Sequence, residues 1–210
     1  MILLIETSHK LCSVAVCQPD GQIVWEKQDA KLLKHAETLP VLVDEAYKKF
    51  KNIQAIALSQ GPGSYTGLRI GASLAQGLCF AKTWPLIAVP THLELLATCS
   101  RTSIALLYAG RSEVYMAMGQ GYDMGEISSQ IIDQEWVNSQ EANAHIVGDC
   151  MHLFEGLEHE LSLENIEPTA RLLAPIAAHK WAAGEFEDLA YFTPTYAKEF
   201  IPGVSKKFKL

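Results

Sequence analysis

The chain has 210 residues, 49% of them apolar and 20% charged, and its formal net charge is −7. That length and balance fit a soluble globular protein with a sizeable core, in one large or two small domains. An acidic chain is a poor nucleic-acid binder on its own, because affinity there comes mostly from Lys and Arg neutralising phosphates. Any work on RNA would need a partner's basic surface.

Residues 2–5 read as a buried strand, followed by the polar turn Glu6-Thr7-Ser8-His9-Lys10. The apolar start meets Glu6 after five residues, short of the roughly 7–15 apolar residues of a signal peptide core. No stretch approaches the ~20 apolar residues of a membrane span, so a soluble cytoplasmic chain is expected. Residues 12–17 and 22–28 are two more strands, separated by the turn signal Pro19-Asp20-Gly21, and together the three predict an antiparallel meander. Leu39, Leu42, Val43, Ala46, Tyr47 and Phe50 then recur at spacings of three and four, one face of a helix. Pro40 belongs in a first turn, which predicts a start near Thr38 as N-cap. A buried strand over 53–58 leads into the most distinctive stretch of the chain.

That stretch is Ser59-Gln60-Gly61-Pro62-Gly63-Ser64-Tyr65-Thr66-Gly67-Leu68-Arg69-Ile70-Gly71. It reads as strand, tight turn and helix N-terminus, with a helix-like run to Lys82. Free backbone N–H groups and the positive end of the helix dipole would meet there, so Gly61, Pro62, Gly63, Ser64, Thr66 and Gly67 are a candidate anion or nucleotide loop. Along the helix, Gly67, Gly71, Ala75 and Cys79 form a row of small residues that permits close approach of another backbone. Gly71 and Gly77 cost helix propensity, about 1 kcal/mol each against Ala, which argues for close packing inside the fold or against another chain. Arg69 opposes the dipole, and a carboxylate partner is expected for it.

Further along, 86–89 is a strand ended by Pro90, with Thr91 a possible cap for a short helix from His92. Residues 103–108 and 113–118 are strands around Gly110-Arg111-Ser112. Residues 119–129 read as a loop or irregular hairpin and 131–137 as mixed. A short strand at 144–148 ends at Gly-Asp. Helices follow over 151–157 and 172–183, and the Tyr/Phe-rich tail ends basic. The five cysteines are odd in number and lack a Cys-x-x-Cys pair, so they read as buried reduced thiols. The expected layout is an N-terminal lobe (1–102), a C-terminal lobe (103–190) and a tail (191–210) packing back on the first lobe.

Glu6-Thr-Ser with Ser13-Val-Ala-Val, the glycine stretch, Pro85-Leu-Ile-Ala-Val and Arg111-Ser-Glu-Val-Tyr together resemble the TsaB (YeaZ) family, closely over the first ~118 residues and loosely beyond. The resemblance implies a two-lobed α/β fold of the actin-like ATPase (ASKHA) type. It also implies a role in making N6-threonylcarbamoyladenosine in tRNAs that read codons beginning with A. In that role the chain would act with the catalytic paralogue TsaD and the small ATPase TsaE, and would reach tRNA through the complex. By the same resemblance, Leu39, Leu42, Val43, Ala46 and Tyr47 of the first helix would pack on TsaD. Arg69, Ile70, Gly71, Leu74, Ala75 and Leu78 of the second would join them, with a homodimer in the partner's absence. The competing reading is that both helix faces simply cover the sheet.

Local chemistry favours a partner over an independent enzyme. The paralogue carries His-x-x-x-His for a metal, two ligands one helical turn apart. Here His92 is followed four residues later by Leu96, so no metal is expected, and His145, His152 and His159 read as exposed. The loop is not a Walker A motif, since Gly67 precedes Leu68-Arg69. The family usually carries an Asp just before Arg111-Ser-Glu-Val-Tyr, where this chain has Tyr108-Ala109-Gly110, so one candidate carboxylate is missing. Ser64 does not fit Gly-x-Ser-x-Gly, which removes the hydrolase reading. The expectation is a non-catalytic subunit with no cofactor. The alternative is an independent actin-fold ATPase or kinase with phosphates at Gly61–Gly67 and Glu6 near its metal.

Overall fold

The computed structural model describes residues 1–29 and 34–197. The first sheet opens with β1 (Ile2–Glu6), β2 (Cys12–Cys17) and β3 (Ile23–Asp29), the antiparallel meander expected from the turn signals. Two parallel strands, β4 (Ala55–Gly61) and β5 (Leu86–Pro90), complete it in the order β3-β2-β1-β4-β5. β1, β2 and the body of β4 and β5 are buried on both faces, which is why they read as unbroken apolar runs.

One face is covered by α1 (His35–Lys49) and α2 (Tyr65–Lys82), which cap Leu3, Ile5, Val14, Ile56 and Leu58. The other is covered by α3 (Thr91–Leu96) and α5 (Ala170–Ala183). The second sheet holds β6 (Ser103–Gly110), β7 (Glu113–Gln120), β8 (Asp123–Met124), β9 (Ser128–Ile131), β10 (His145–Gly148) and β11 (Ser162–Asn165). Its order is β11-β10-β6-β7-β8, with β9 also on β7. α4 (Gln134–Asn138) and a 3-10 turn (Met151–Phe154) close its outer face through Trp136, Val137 and Phe154. α3 lies between the sheets, touching β4 and β5 on one side and β6 and β7 on the other.

Several boundaries differ from the sequence reading, each for a physical reason. α1 starts at His35 rather than near Thr38, because His35 and Thr38 are themselves buried in phase with Leu39 and Leu42. Pro40 therefore sits inside the helix, where the carbonyl it leaves unpaired belongs to exposed Ala36. Thr91 is the first residue of α3 and Pro90 its cap. The 119–131 segment contains β8 and β9, and β11 adds a strand that carries little apolar signal (Ser-Leu-Glu-Asn). α5, expected in the second lobe, packs on the first sheet: Ala170, Leu173, Ala174, Ile176 and Ala177 meet Ile2, Leu4 and Ile87. Of the residues after 190, Phe192 joins the core of the first sheet and the Thr195 N–H donates to the Gln60 carbonyl at 2.8 Å. The basic end of the tail, 198–210, lies outside the described residues.

All five cysteines are buried and unpaired by disulfides. Burial pushes the Cys12, Cys17, Cys79 and Cys150 thiols up to about 12, so none is a nucleophile at neutral pH. Among the described residues no helix is long and apolar enough to cross a membrane.

Candidate functional site

The glycine stretch forms the β4–α2 corner. Gly61 adopts φ +105, open to glycine and closed to most side chains, and a methyl group there would press on the Thr195 carbonyl. Ser64 caps α2, its Oγ accepting from the Gly67 N–H at 3.2 Å. The Ser64 N–H donates to the Ser8 carbonyl at 2.7 Å, and the Leu68 N–H to the Ser64 carbonyl at 2.8 Å. Three donors of the supposed phosphate cradle are thus occupied by the protein itself. Ser64 is a structural cap whose Oγ already accepts a helix N–H.

The small-residue row faces inward. A Cβ at Gly63 would strike the Ser8 carbonyl, one at Gly67 the Thr7 carbonyl, and one at Gly71 the Thr7 hydroxyl. Ala75 and Cys79 continue the row into the core at 0% exposure. These glycines let α2 lie directly on the β1–β2 turn, and they are not a surface for another chain. The same correction applies to α1: Leu39, Leu42, Val43 and Ala46 are buried against the sheet. Tyr47, Ile70, Leu74 and Leu78 are half-buried at the edge of that core.

What remains outward is a different set. Ala36 and Pro40 of α1 and Tyr65, Thr66, Arg69, Ile70, Ser73 and Leu74 of α2 line a groove of about 640 Å³. On the same two helices Val41 and Phe80 are 63% and 84% exposed. Gly77 lies on this outer side with nothing within 4 Å of where its Cβ would be. Arg69 does not meet a carboxylate among the described residues. Its guanidinium lies 4.3 Å from the Tyr65 ring centroid and donates to the Tyr196 hydroxyl at 3.3 Å, and Tyr196 packs on Tyr65.

A second concavity, a cleft of about 560 Å³, opens between the lobes. Its walls include Ser8, His9, Lys10, Gly63, Ser64, Tyr108, Asp149 and His152. The His9 Nε2 contacts the Asp149 carboxylate across the cleft, and Asp149 accepts from the Tyr108 N–H at 2.8 Å. The sequence reading missed this acidic group: it looked for a carboxylate before Arg111, and the structure supplies one from the Gly-Asp after β10. The signal was that pair itself, a glycine allowing a sharp exit from a buried strand. Of the three spaced histidines, His152 and His159 are exposed as expected. His145 is half-buried and bonded to the Ser103 hydroxyl at 2.8 Å and to Glu164 at 3.2 Å.

Glu6 does not reach the cleft. It is fully buried, and its carboxylate accepts from the Ser8 N–H at 2.5 Å. His92 is also fully buried, with Nε2 at 2.9 Å from the Tyr115 carbonyl, and desolvation lowers its pKa to about 4. That bond makes Nε2 the N–H of a neutral ring. Leu96, where the paralogue has its second histidine, packs in the core between the lobes. No group of three or more His, Cys, Asp or Glu with metal-site geometry occurs among the described residues.

Against known proteins, residues 30–156, more than half of the chain, match the family described as "TsaD: tRNA N6-adenosine threonylcarbamoyltransferase". The Escherichia coli K12 protein named tRNA threonylcarbamoyladenosine biosynthesis protein TsaB is 28% identical, over 95% of both chains. A tRNA N6-adenosine threonylcarbamoyltransferase of Geobacter sulfurreducens is 32% identical over 42% of this chain and 29% of its own length. Among solved structures, YeaZ from Pseudomonas aeruginosa superposes with a TM-score of 0.75 at 26% identity, covering 93% of this chain and 98% of that one. The two-sheet α/β architecture is that of the actin-like ATPases. The chain belongs to the TsaD family and, within it, to the TsaB (YeaZ) branch.

Proposed function

We propose that this chain is the non-catalytic partner subunit in threonylcarbamoyladenosine modification of tRNAs reading ANN codons. It would dimerise with a TsaD-type catalytic subunit, work with a TsaE-type ATPase, and meet tRNA through the assembly in the cytoplasm. The observation that carries the reading is the outer face of α1 and α2. Phe80 and Val41 leave large apolar side chains in water, residues of both helices line a mostly apolar groove, and Gly77 keeps a helix surface flat where nothing inside the molecule needs it. Exposed apolar surface next to a groove is what a partner buries. Alone, the same face would pair two copies of this chain about a two-fold axis.

The chemistry absent from the inner site fits a supporting role. The position of a metal-binding pair holds one neutral, carbonyl-bonded His92 and a core leucine. The acid that would serve a nucleotide's metal, Glu6, is turned into the interior. Reconstitution tests this. Threonylcarbamoyladenosine formation by TsaD-type and TsaE-type subunits on tRNA should require this chain, and this chain alone should form none. Turnover by the isolated chain would contradict it.

The interlobe cleft favours a second reading, an ATP-binding protein in its own right, with His9, Lys10 and the α2 N-terminus facing the phosphates. Calorimetry with Mg-ATP separates the two. One-to-one binding by the isolated chain, lost in Lys10→Ala, an exposed residue of the cleft wall, without loss of fold, would favour the ATPase.

A further inference from the structure

Arg69 is the one charged residue of the glycine stretch, and the fold gives it no carboxylate. It stands near the positive end of the α2 dipole, on a helix with no acidic side chain of its own. On α1, Glu37 pairs with Lys34, Asp44 with Lys48 and Glu45 with Lys27, so every acid of that helix is engaged by a lysine. What holds Arg69 is aromatic. Its guanidinium lies 4.3 Å from the Tyr65 ring centroid and 6.0 Å from that of Tyr196, and its Nε–H donates to the Tyr196 hydroxyl at 3.3 Å. Tyr196 is delivered by the chain after α5, which is fastened along α2. The Gln76 amide donates to the Leu189 and Phe192 carbonyls, each at 3.1 Å, and the Thr195 N–H to the Gln60 carbonyl at 2.8 Å. The side chain of Arg69 is exposed, and its two terminal amino groups have no partner among the described residues.

We propose that Arg69 is the anchor for a carboxylate of the partner subunit. A helix of the TsaD-type chain lays an apolar stripe into the groove between α1 and α2 and presents an Asp or Glu to the two terminal amino groups. The inference rests on the partner reading above and adds the chemistry of the partner's surface and the residue that reads it. A guanidinium fork matches a carboxylate through two parallel bonds. An arginine already held by its neighbours loses little side-chain freedom on binding. Once the partner covers the groove, water leaves and the pair strengthens. Arginine and tyrosine together are also the residues on which binding energy concentrates at interfaces.

A phosphate also suits a guanidinium fork, and the groove argues against it. Arg69 is the only charged side chain among the lining residues, and beside it stand Ala36, Pro40, Ile70 and Leu74. A nucleic-acid backbone is held by several cations at once. An apolar groove with one cation fits an amphipathic helix that carries one acid at its apolar border. Tyr196 is then a positioning residue: it touches Arg69 rather than the partner's carboxylate, and its hydroxyl fixes the direction in which the fork opens.

Calorimetry of the full chain with a TsaD-type subunit tests this. Arg69→Met keeps the apolar stem and should weaken binding at least tenfold. Arg69→Lys keeps the charge without the fork and should weaken it about threefold or more. Tyr196→Phe should weaken it about threefold with Arg69 in place. Melting temperatures should match that of the unsubstituted chain. Affinity of the unsubstituted chain should fall between about 50 and about 500 mM salt, and Arg69→Met should flatten that fall. Arg69→Glu should abolish binding, and one acid-to-arginine substitution on the partner's helix should restore it. The salt dependence and Tyr196→Phe leave Arg69 unchanged, so the test stands even if the Arg69 variants fail to fold. Full affinity in Arg69→Met, with Phe80→Asp still weakened, would overturn the proposal and leave the partner reading intact. No complex with the unsubstituted chain would overturn both. Equal weakening in Glu199→Gln would assign the carboxylate to this chain itself, and Arg69-dependent retention of tRNA by the isolated chain would assign a phosphate. Either result would overturn the proposal.

Discussion

The two sides of α2 are made of similar residues and stand in opposite surroundings. On the inner side Gly63, Gly67 and Gly71 at its N-terminal end are pressed against the backbone and side chains of Thr7 and Ser8, and a single added methyl has nowhere to go. On the outer side Gly77 faces open space between exposed Ser73 and Phe80. A row of small residues is therefore not in itself a docking surface. The inner row exists because the β1–β2 turn has to lie under the helix. Only the outer glycine lacks a reason within the fold.

The largest effect that would break this contrast is at Gly67. Gly67→Val forces a branched side chain into the Thr7 carbonyl, and a loss of about 3 kcal/mol in unfolding free energy is expected from denaturant titration. An effect of comparable size comes from acid. His92 is buried neutral, with its pKa depressed to about 4 from 6.5. The unfolded chain binds that proton first, so stability is present above 6.5 and is lost as pH falls toward 4, on the order of 3 kcal/mol. Melting curves across that range should show the loss, and His92→Gln should remove most of it.

The outer face should respond in the opposite direction. Gly77→Ala meets no atom and should stabilise the isolated chain by up to about 1 kcal/mol. If Gly77→Ala destabilises as Gly67→Val does, the distinction between the faces is wrong. The smallest change concerns Arg171, whose guanidinium grips Glu26 through two bonds of 2.7 and 2.6 Å. Both groups are largely in water, so Arg171→Ala should cost well under 1 kcal/mol and less in high salt.

Much of this architecture was legible in the chain because its signals are local. The turn at Pro19-Asp20-Gly21, the apolar runs of β1, β2, β4 and β5, and the periodicity of α1 and α5 each depend on neighbours in sequence. The sided-ness of α2 was not legible. Glycine spacing reports that something comes close, and only the tertiary position of Thr7 says what. The contact of Asp149 with His9 was hidden for the same reason, since the two are 140 positions apart. β11 was missed because Ser162-Leu163-Glu164-Asn165 is an edge strand paired on one side only, where polar residues are tolerated. Arg69 was assigned a carboxylate on dipole grounds, and two tyrosines hold it instead.

The central claim is that the outer face of α1 and α2 receives a TsaD-type subunit. The most direct measurement is the stoichiometry and affinity of that complex by light scattering and calorimetry, comparing the unsubstituted chain with Phe80→Asp, an exposed position whose substitution leaves the core untouched. We expect a one-to-one complex with the unsubstituted chain. In Phe80→Asp binding should weaken at least tenfold, with the melting temperature unchanged. Equal affinity of the two proteins, or no complex with either, would contradict the account.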